Sequence, residues 1–166
     1  MSLPQWIVLA VAVLRLAELI YAERNHRRLL ASGAREVGAR HYPLFVLLHG
    51  SWLVALLFLV PADAPIYWVP LILCVGLLGL RAWVILTLGR YWTTRIITVP
   101  GAPLVRSGPY RFVRHPNYLV VIGEIALLPL AFGAWRIAVV FSLLNAAMLW
   151  HRIRVEDQAL ADRRPL

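Results

Sequence analysis

The chain has 166 residues, 61% of them hydrophobic and only 15% charged, with a mean hydropathy of +0.72. Soluble globular chains run at about 45–50% apolar and about a quarter charged. A soluble core of this size could not bury the surplus, so a soluble globular protein is excluded and a single integral-membrane domain over 1–166 remains. The formal net charge is +9, and every basic residue is arginine. The arginines flank apolar runs and form no separate polar domain, which points to membrane topology and anionic headgroups and away from nucleic acid. The single cysteine, Cys74, lies inside an apolar run, so disulfides and cysteine-based metal sites are excluded.

In chain order, five apolar runs fit the roughly 20 residues needed to cross a hydrocarbon core. They cover Leu3–Ile20, Pro43–Val60, Ile66–Leu88, Asn117–Phe132 and Trp135–Trp150. The expected fold class is therefore all-α and polytopic, with about five transmembrane helices. The first run has no basic stretch before it and reads as a retained span, not a cleaved leader. The last two runs are short and separated only by Gly133 and Ala134, so they read as a tight helical hairpin. Arginine placement orients the whole. Arg24, Arg27, Arg28, Arg35 and Arg40 follow the first run, and five more lie between Arg90 and Arg114. Arg152, Arg154, Arg163 and Arg164 follow the last. Five spans put all of these on one, cytoplasmic, face with the N-terminus outside, and leave only Arg136 across the membrane.

Ionisable residues inside apolar runs are expensive and are usually paired or functional. Arg15 and Glu18 are three apart and neutralise each other on one helix face. Arg81 and Glu124 have no local partner; they either pair across the bundle or one lines a cavity. His49 reads as a hydrogen-bonded packing residue, and Ser142 and Asn145 as interhelical hydrogen-bonding groups.

The stretch from Leu88 to Tyr118, LGRYWTTRIITVPGAPLVRSGPYRFVRHPNY, is too long and too particular for a connector. Ser107-Gly-Pro-Tyr110 is turn chemistry. Pro116 sits where a helix begins, its missing N–H costing nothing there, and the new N-terminus favours anions close to His115. The short hairpin then returns Arg152-Ile-Arg-Val-Glu-Asp157 to the same face, next to the Arg-His-Pro segment.

GPYRFVRHPNY, followed by a helical hairpin and RIRVEDQAL, resembles the isoprenylcysteine carboxyl methyltransferase family. GAREVGARHYP and LGRYWTTRI are similar to its bacterial branch, which includes alkylpyrone O-methyltransferase-like proteins. The resemblance covers roughly residues 35 to 160, with a core at about 88–160. It implies an S-adenosylmethionine-dependent O-methyltransferase of a bacterial inner membrane, with a helical cofactor site. Its acceptor would be lipophilic, a prenylcysteine carboxylate or an alkylpyrone-like enol or phenol. By that resemblance His115 and Tyr118 help hold the cofactor, Glu156 binds its polar end, and Gly108, Pro109 and Tyr110 shape the loop over it. Glu156-Asp157 stands where the family often has two glutamates, which puts a role for Asp157 in doubt. Beyond the family pattern, Arg154 is the candidate for positioning the acceptor oxygen, with Arg152 as its rival. Glu124 is the candidate base for a hydroxyl acceptor. Two other readings compete: an NADPH-dependent sterol-type membrane reductase, which shares a Pro-Asn-Tyr motif, and a non-enzymatic membrane scaffold.

Overall fold

The structure, a computed structural model, describes residues 2–102, 104–159 and 161. Five helices dominate it: α1 (Leu3–Ala31), α2 (Tyr42–Leu59), α3 (Trp68–Leu88), α4 (Pro116–Leu130) and α5 (Trp135–Ala159). Three segments, Leu3–Ala31, Ala39–Leu59 and Trp68–Tyr91, are long and apolar enough to cross a membrane, as befits an integral membrane protein. α4 has 15 residues. At about 1.5 Å per residue it is some 22 Å long, short of the roughly 30 Å hydrocarbon core. The expected helices are thus all present, while three of them are both long and apolar enough to cross a membrane.

Two boundaries differ from expectation. α1 runs through Glu23, Arg24, Arg27 and Arg28 to Ala31, because Arg27 Nε pairs with Glu23 one turn back at 2.8 Å and keeps a polar last section helical. α5 continues nine residues past Trp150 to Ala159, so Arg152, Arg154, Glu156 and Asp157 all stand on one helix. The helical frame carries one small addition. Arg35–Val37 (β1) and Ile96–Thr98 (β2) form an antiparallel pair, with Glu36 opposite Ile97. These short runs carry the β-branched residues Val37, Ile96, Ile97 and Thr98, which suit a strand.

The chain runs up and down, and this pairing ties the α1–α2 and α3–α4 connections together at one end. α5 joins them there through Arg152, which donates to the Thr94 carbonyl at 2.7 Å. The described arginine-rich segments therefore gather at one end of the bundle; Arg163 and Arg164 lie outside the described residues. At the opposite end the hairpin turns on Gly133, whose φ of 70° is left-handed and suits glycine. There the Tyr67 amide donates to the Ala131 carbonyl at 2.8 Å.

The main core lies towards that hairpin end, where Val8, Trp52, Leu56, Cys74, Ile125, Leu128 and Phe132 pack from four helices and the turn after α4. Two smaller clusters, Ala22–Val84–Trp92 and Phe45–Tyr118–Leu149, lie towards the arginine-rich end, and both contribute a residue to the cavity described next.

Candidate active site

At the arginine-rich end, a cavity of about 740 Å³ opens between the α3–α4 connection and the ends of α1, α4 and α5. That is within the range of roughly 300–1,000 Å³ seen for small-molecule sites. Its wall includes five arginines (Arg95, Arg106, Arg111, Arg114 and Arg152), His115, and one carboxylate among the described residues, Glu156. Tyr91, Trp92, Tyr110 and Tyr118 supply aromatic surface.

Tyr118 organises the inner side. Its hydroxyl donates to the Glu156 carboxylate and accepts from Arg152 Nε at 2.8 Å. The Arg152 guanidinium also lies over the Phe45 ring, 4.9 Å from its centroid. With Nε on Tyr118 and Nη2 on the Thr94 carbonyl, the guanidinium is held in place and presents a fixed charge to the cavity. The local reason is helical spacing. Ala138, Asn145 and Leu149 are the buried residues of α5, and Arg152 and Glu156 continue that stripe at steps of three and four.

His115 is the residue before α4, whose first residue is Pro116. Its ring stacks on Tyr118 with centroids 5.2 Å apart and planes 18° apart. It reaches the Glu156 carboxylate at 3.9 Å through Nδ1 and Asp157 at 3.3 Å through Nε2. Burial, and then the negative charge of Glu156, push the Tyr110 phenol above its ordinary value, so it remains a neutral hydroxyl through the physiological range.

The outer side is braced by residues from before the α3–α4 connection. Glu36 of β1 takes Arg95 Nη1 at 2.9 Å and His26 Nε2 at 3.1 Å. The Arg95 guanidinium also lies 4.1 Å from the centroid of Tyr42, whose hydroxyl meets Thr94 Oγ1 at 2.9 Å. On α1, Asn25 Nδ2 donates to the carbonyls of Gly89 and Trp92 at 3.1 and 2.9 Å, pinning the turn that carries Trp92.

The residues singled out in the sequence divide as follows. His115, Tyr118, Glu156 and Tyr110 come together around the cavity, although they are spread over 47 positions of the chain (110–156). Gly108 and Pro109 lie beside it in the one-turn helix Gly108–Arg111 and are not among its described lining residues. Gly108 has a φ of 57°, and a Cβ there would stand 2.4 Å from Thr87 Oγ1, so only glycine lets this turn close on α3. Arg154 lies outside the lining, with its guanidinium 3.6 Å from the centroid of Trp150; the lining arginine of this pair is Arg152. Glu124 is also outside. It sits in a mid-bundle cluster with Arg15 at 3.4 Å and Arg81 at 3.6 Å, while Glu18 takes Arg15 at 2.9 Å and Arg81 at 2.8 Å. Of the two alternatives for Arg81 and Glu124, pairing is the one observed. His49 Nδ1 meets the Phe45 carbonyl one turn back at 2.8 Å, as a packing histidine does. Asn145 is buried with its Oδ1 lacking a hydrogen-bond partner, so that atom forms no interhelical link.

Sequence reasoning missed Glu36, Arg95, Asn25 and Trp92. Asn25 lies within the polar run Glu23–Arg28 and Glu36 beside a single β-branched residue, Val37, so neither stood out locally.

The model of the isoprenylcysteine carboxyl methyltransferase (ICMT) family matches residues 68–162. A Bacillus subtilis (strain 168) protein, "Uncharacterized protein YpbQ", is 38% identical over 164 residues, covering 95% of this chain and 96% of its own. A Haemophilus influenzae protein, also described as uncharacterized, is 26% identical over 156 residues, 91% of each chain. The "Cobalt-zinc-cadmium resistance protein CzcN" of Cupriavidus metallidurans is 36% identical over 100 residues, covering 59% of this chain and 45% of CzcN. No solved structure matches. The family match begins at α3, includes the whole α3–α4 connection and extends past α5, so it takes in nearly all of the cavity wall. This chain belongs to the isoprenylcysteine carboxyl methyltransferase family.

Proposed function

We propose that the protein is a membrane methyltransferase that uses S-adenosylmethionine and methylates an oxygen of a lipophilic acceptor. The observation that carries this reading is the cavity itself, in which one carboxylate and several cations converge within a family of methyltransferases. The donor has an ammonium, a carboxylate and a sulfonium, and so needs a site with both signs of charge. The residues fit it. Glu156 offers the anion for the ammonium. The N-terminus of α4 and the lining arginines offer a cationic side for the carboxylate. Aromatic surface from Tyr91, Trp92 and Tyr110 suits an adenine ring, and Trp92 Nε1 and Asn117 Oδ1 are buried there without hydrogen-bond partners. Such orphaned groups are costly unless a ligand or water satisfies them.

When bound, the donor supplies an electrophilic methyl group on sulfur. The protein's part is to align the acceptor oxygen with that methyl and keep water out. Arg152 is held by Tyr118 and the Thr94 carbonyl, so it can keep an acceptor oxyanion in place until attack without reorganising. A carboxylate acceptor needs no base. For an enol or phenol, His115 is the lining group able to take the proton, since Glu124 is committed to Arg15 and Arg81. The acceptor would reach the cavity from the bilayer.

The test supplies the purified protein in nanodiscs with isotopically labelled donor and a lipid extract, and follows methylated lipids by mass spectrometry. Calorimetry with donor and with NADPH accompanies it. Micromolar donor binding, about −8 kcal/mol, with a labelled lipid product supports the reading. Binding of NADPH in place of the donor would overturn it in favour of a reductase.

A further inference from the structure

The segment Arg111-Phe-Val-Arg114 stands at the rim of the cavity, and all four residues are exposed. Phe112 is 74% exposed, an unusual state for a phenylalanine outside the apolar helices. Its ring meets only one other aromatic group among the described residues, Trp83 of α3, with centroids 6.5 Å apart. α3 is long and apolar enough to span a membrane, and Trp83 and Leu86 lie on its exposed side. Trp83 is five residues from the end of α3 at Leu88, or roughly 7–8 Å inward along the axis. A ring packed against it lies at the depth of the bilayer boundary, not out in water. Val113 is exposed as well, as are Leu119 and Ile122 of α4. Arg111 and Arg114 flank Phe112 and Val113, and both also line the cavity.

We propose that residues 111–114 form an interfacial anchor: Phe112 and Val113 dip into the acyl boundary, and Arg111 and Arg114 seat on anionic lipid headgroups. The chemistry is that of a membrane-surface segment, in which apolar insertion and arginine–headgroup attraction reinforce each other. It places the rim of the cavity in the headgroup layer, where an amphiphilic acceptor lies with its polar end accessible. The anchor rests on α3 crossing the bilayer and does not depend on the methyl-transfer reading.

The test uses the full chain with Cys74→Ala and Phe112→Cys, labelled at 112 with an environment-sensitive fluorophore. The protein is placed in nanodiscs of phosphatidylcholine alone or mixed equally with phosphatidylglycerol. Quenching by lipids carrying a nitroxide near the headgroup is compared with quenching by aqueous iodide. The label should be quenched several-fold more strongly by the shallow nitroxide than by iodide, and phosphatidylglycerol should raise the lipid quenching. Arg111→Gln with Arg114→Gln should remove that increment, each arginine being worth roughly five-fold in the equilibrium between seated and lifted states. A label that iodide quenches as fully as free dye overturns the anchor. Lipid quenching indifferent to phosphatidylglycerol and to the arginine substitutions overturns the role of anionic headgroups. Phe112 is exposed in the protein, and an unchanged elution profile shows that its replacement leaves the fold intact.

Discussion

Replacing Glu156 by glutamine is the sharpest perturbation of the proposed site, because it changes one charge and almost no volume. Glu156 is the single carboxylate among the described lining residues, set against five arginines. The substitution leaves an oxygen to accept from the Tyr118 hydroxyl, so Tyr118 and Arg152 keep their places. What is lost is one charge-assisted interaction with the donor's ammonium, worth about 1.5–3 kcal/mol. That corresponds to roughly a ten- to hundred-fold rise in donor Kd. Titration calorimetry in nanodiscs measures it directly, and comparing S-adenosylmethionine with its demethylated product refines the reasoning. Both carry the ammonium and only the first carries the sulfonium. An equal loss for both assigns Glu156 to the ammonium; a loss confined to the methylated form assigns it to the sulfonium. A donor Kd within two-fold of the unmodified protein for both ligands would refute the role altogether.

Four further outcomes are expected. His115→Ala should weaken donor binding by about ten-fold, since it removes a ring stacked on Tyr118 beside the Glu156 carboxylate; calorimetry reads this. Arg152→Ala should lower single-turnover rate far more than Arg154→Ala, whose side chain rests on Trp150 outside the cavity; equal losses would return the role to Arg154. Asn25→Ala should reduce thermal stability by about 1–3 kcal/mol, because it leaves the Gly89 and Trp92 carbonyls without their donor; fluorescence-monitored melting in detergent measures it. Cysteines placed at Ser32 and Asp63, in a Cys74→Ala background, should label from opposite sides of the membrane. Ser32 caps α1 at the cavity end, and Asp63 lies in the turn between α2 and α3.

Helix positions were legible because apolar runs and their breakers speak directly to α-helices. α2 begins and ends within one residue of Pro43–Val60, and Gly133 closes the hairpin where a left-handed turn was needed. The pairing of Arg15 with Glu18 followed from spacing alone. What escaped is long-range. The contact of β1 with β2 joins segments 59 residues apart (Val37 and Ile96), and nothing within either three-residue stretch announces the other. The same holds for Glu36 and Arg95, which depend on that contact. Which of Arg152 and Arg154 lines the cavity was within reach. Both follow the last apolar run, and a stripe through Ala138, Asn145 and Leu149 continues to 152 and 156 if the helix does. The obstacle was the hydropathy limit at Trp150, which marks where apolar residues stop and not where hydrogen bonding along the helix stops.

The mid-bundle charges bear on the site from below. Arg15, Glu18, Arg81 and Glu124 sum to zero charge and are largely withdrawn from solvent. A buried ionic cluster of this kind gives little net stability relative to apolar residues, yet losing one member strands an uncompensated charge at a cost of about 3–5 kcal/mol. The cluster also touches the site, because the Arg81 guanidinium lies 5.8 Å from the centroid of Trp92, which lines the cavity. Glu124→Gln should therefore act in two separable ways. It should lower the melting temperature, through loss of a partner for both arginines, and it should shift donor affinity only as far as Trp92 moves. If Glu124 were instead the proton acceptor in catalysis, the variant would bind donor normally and lose turnover on hydroxyl acceptors while retaining it on carboxylates. A stable Glu124→Gln protein with that acceptor-dependent defect would overturn the structural assignment of Glu124 and restore it to the chemistry.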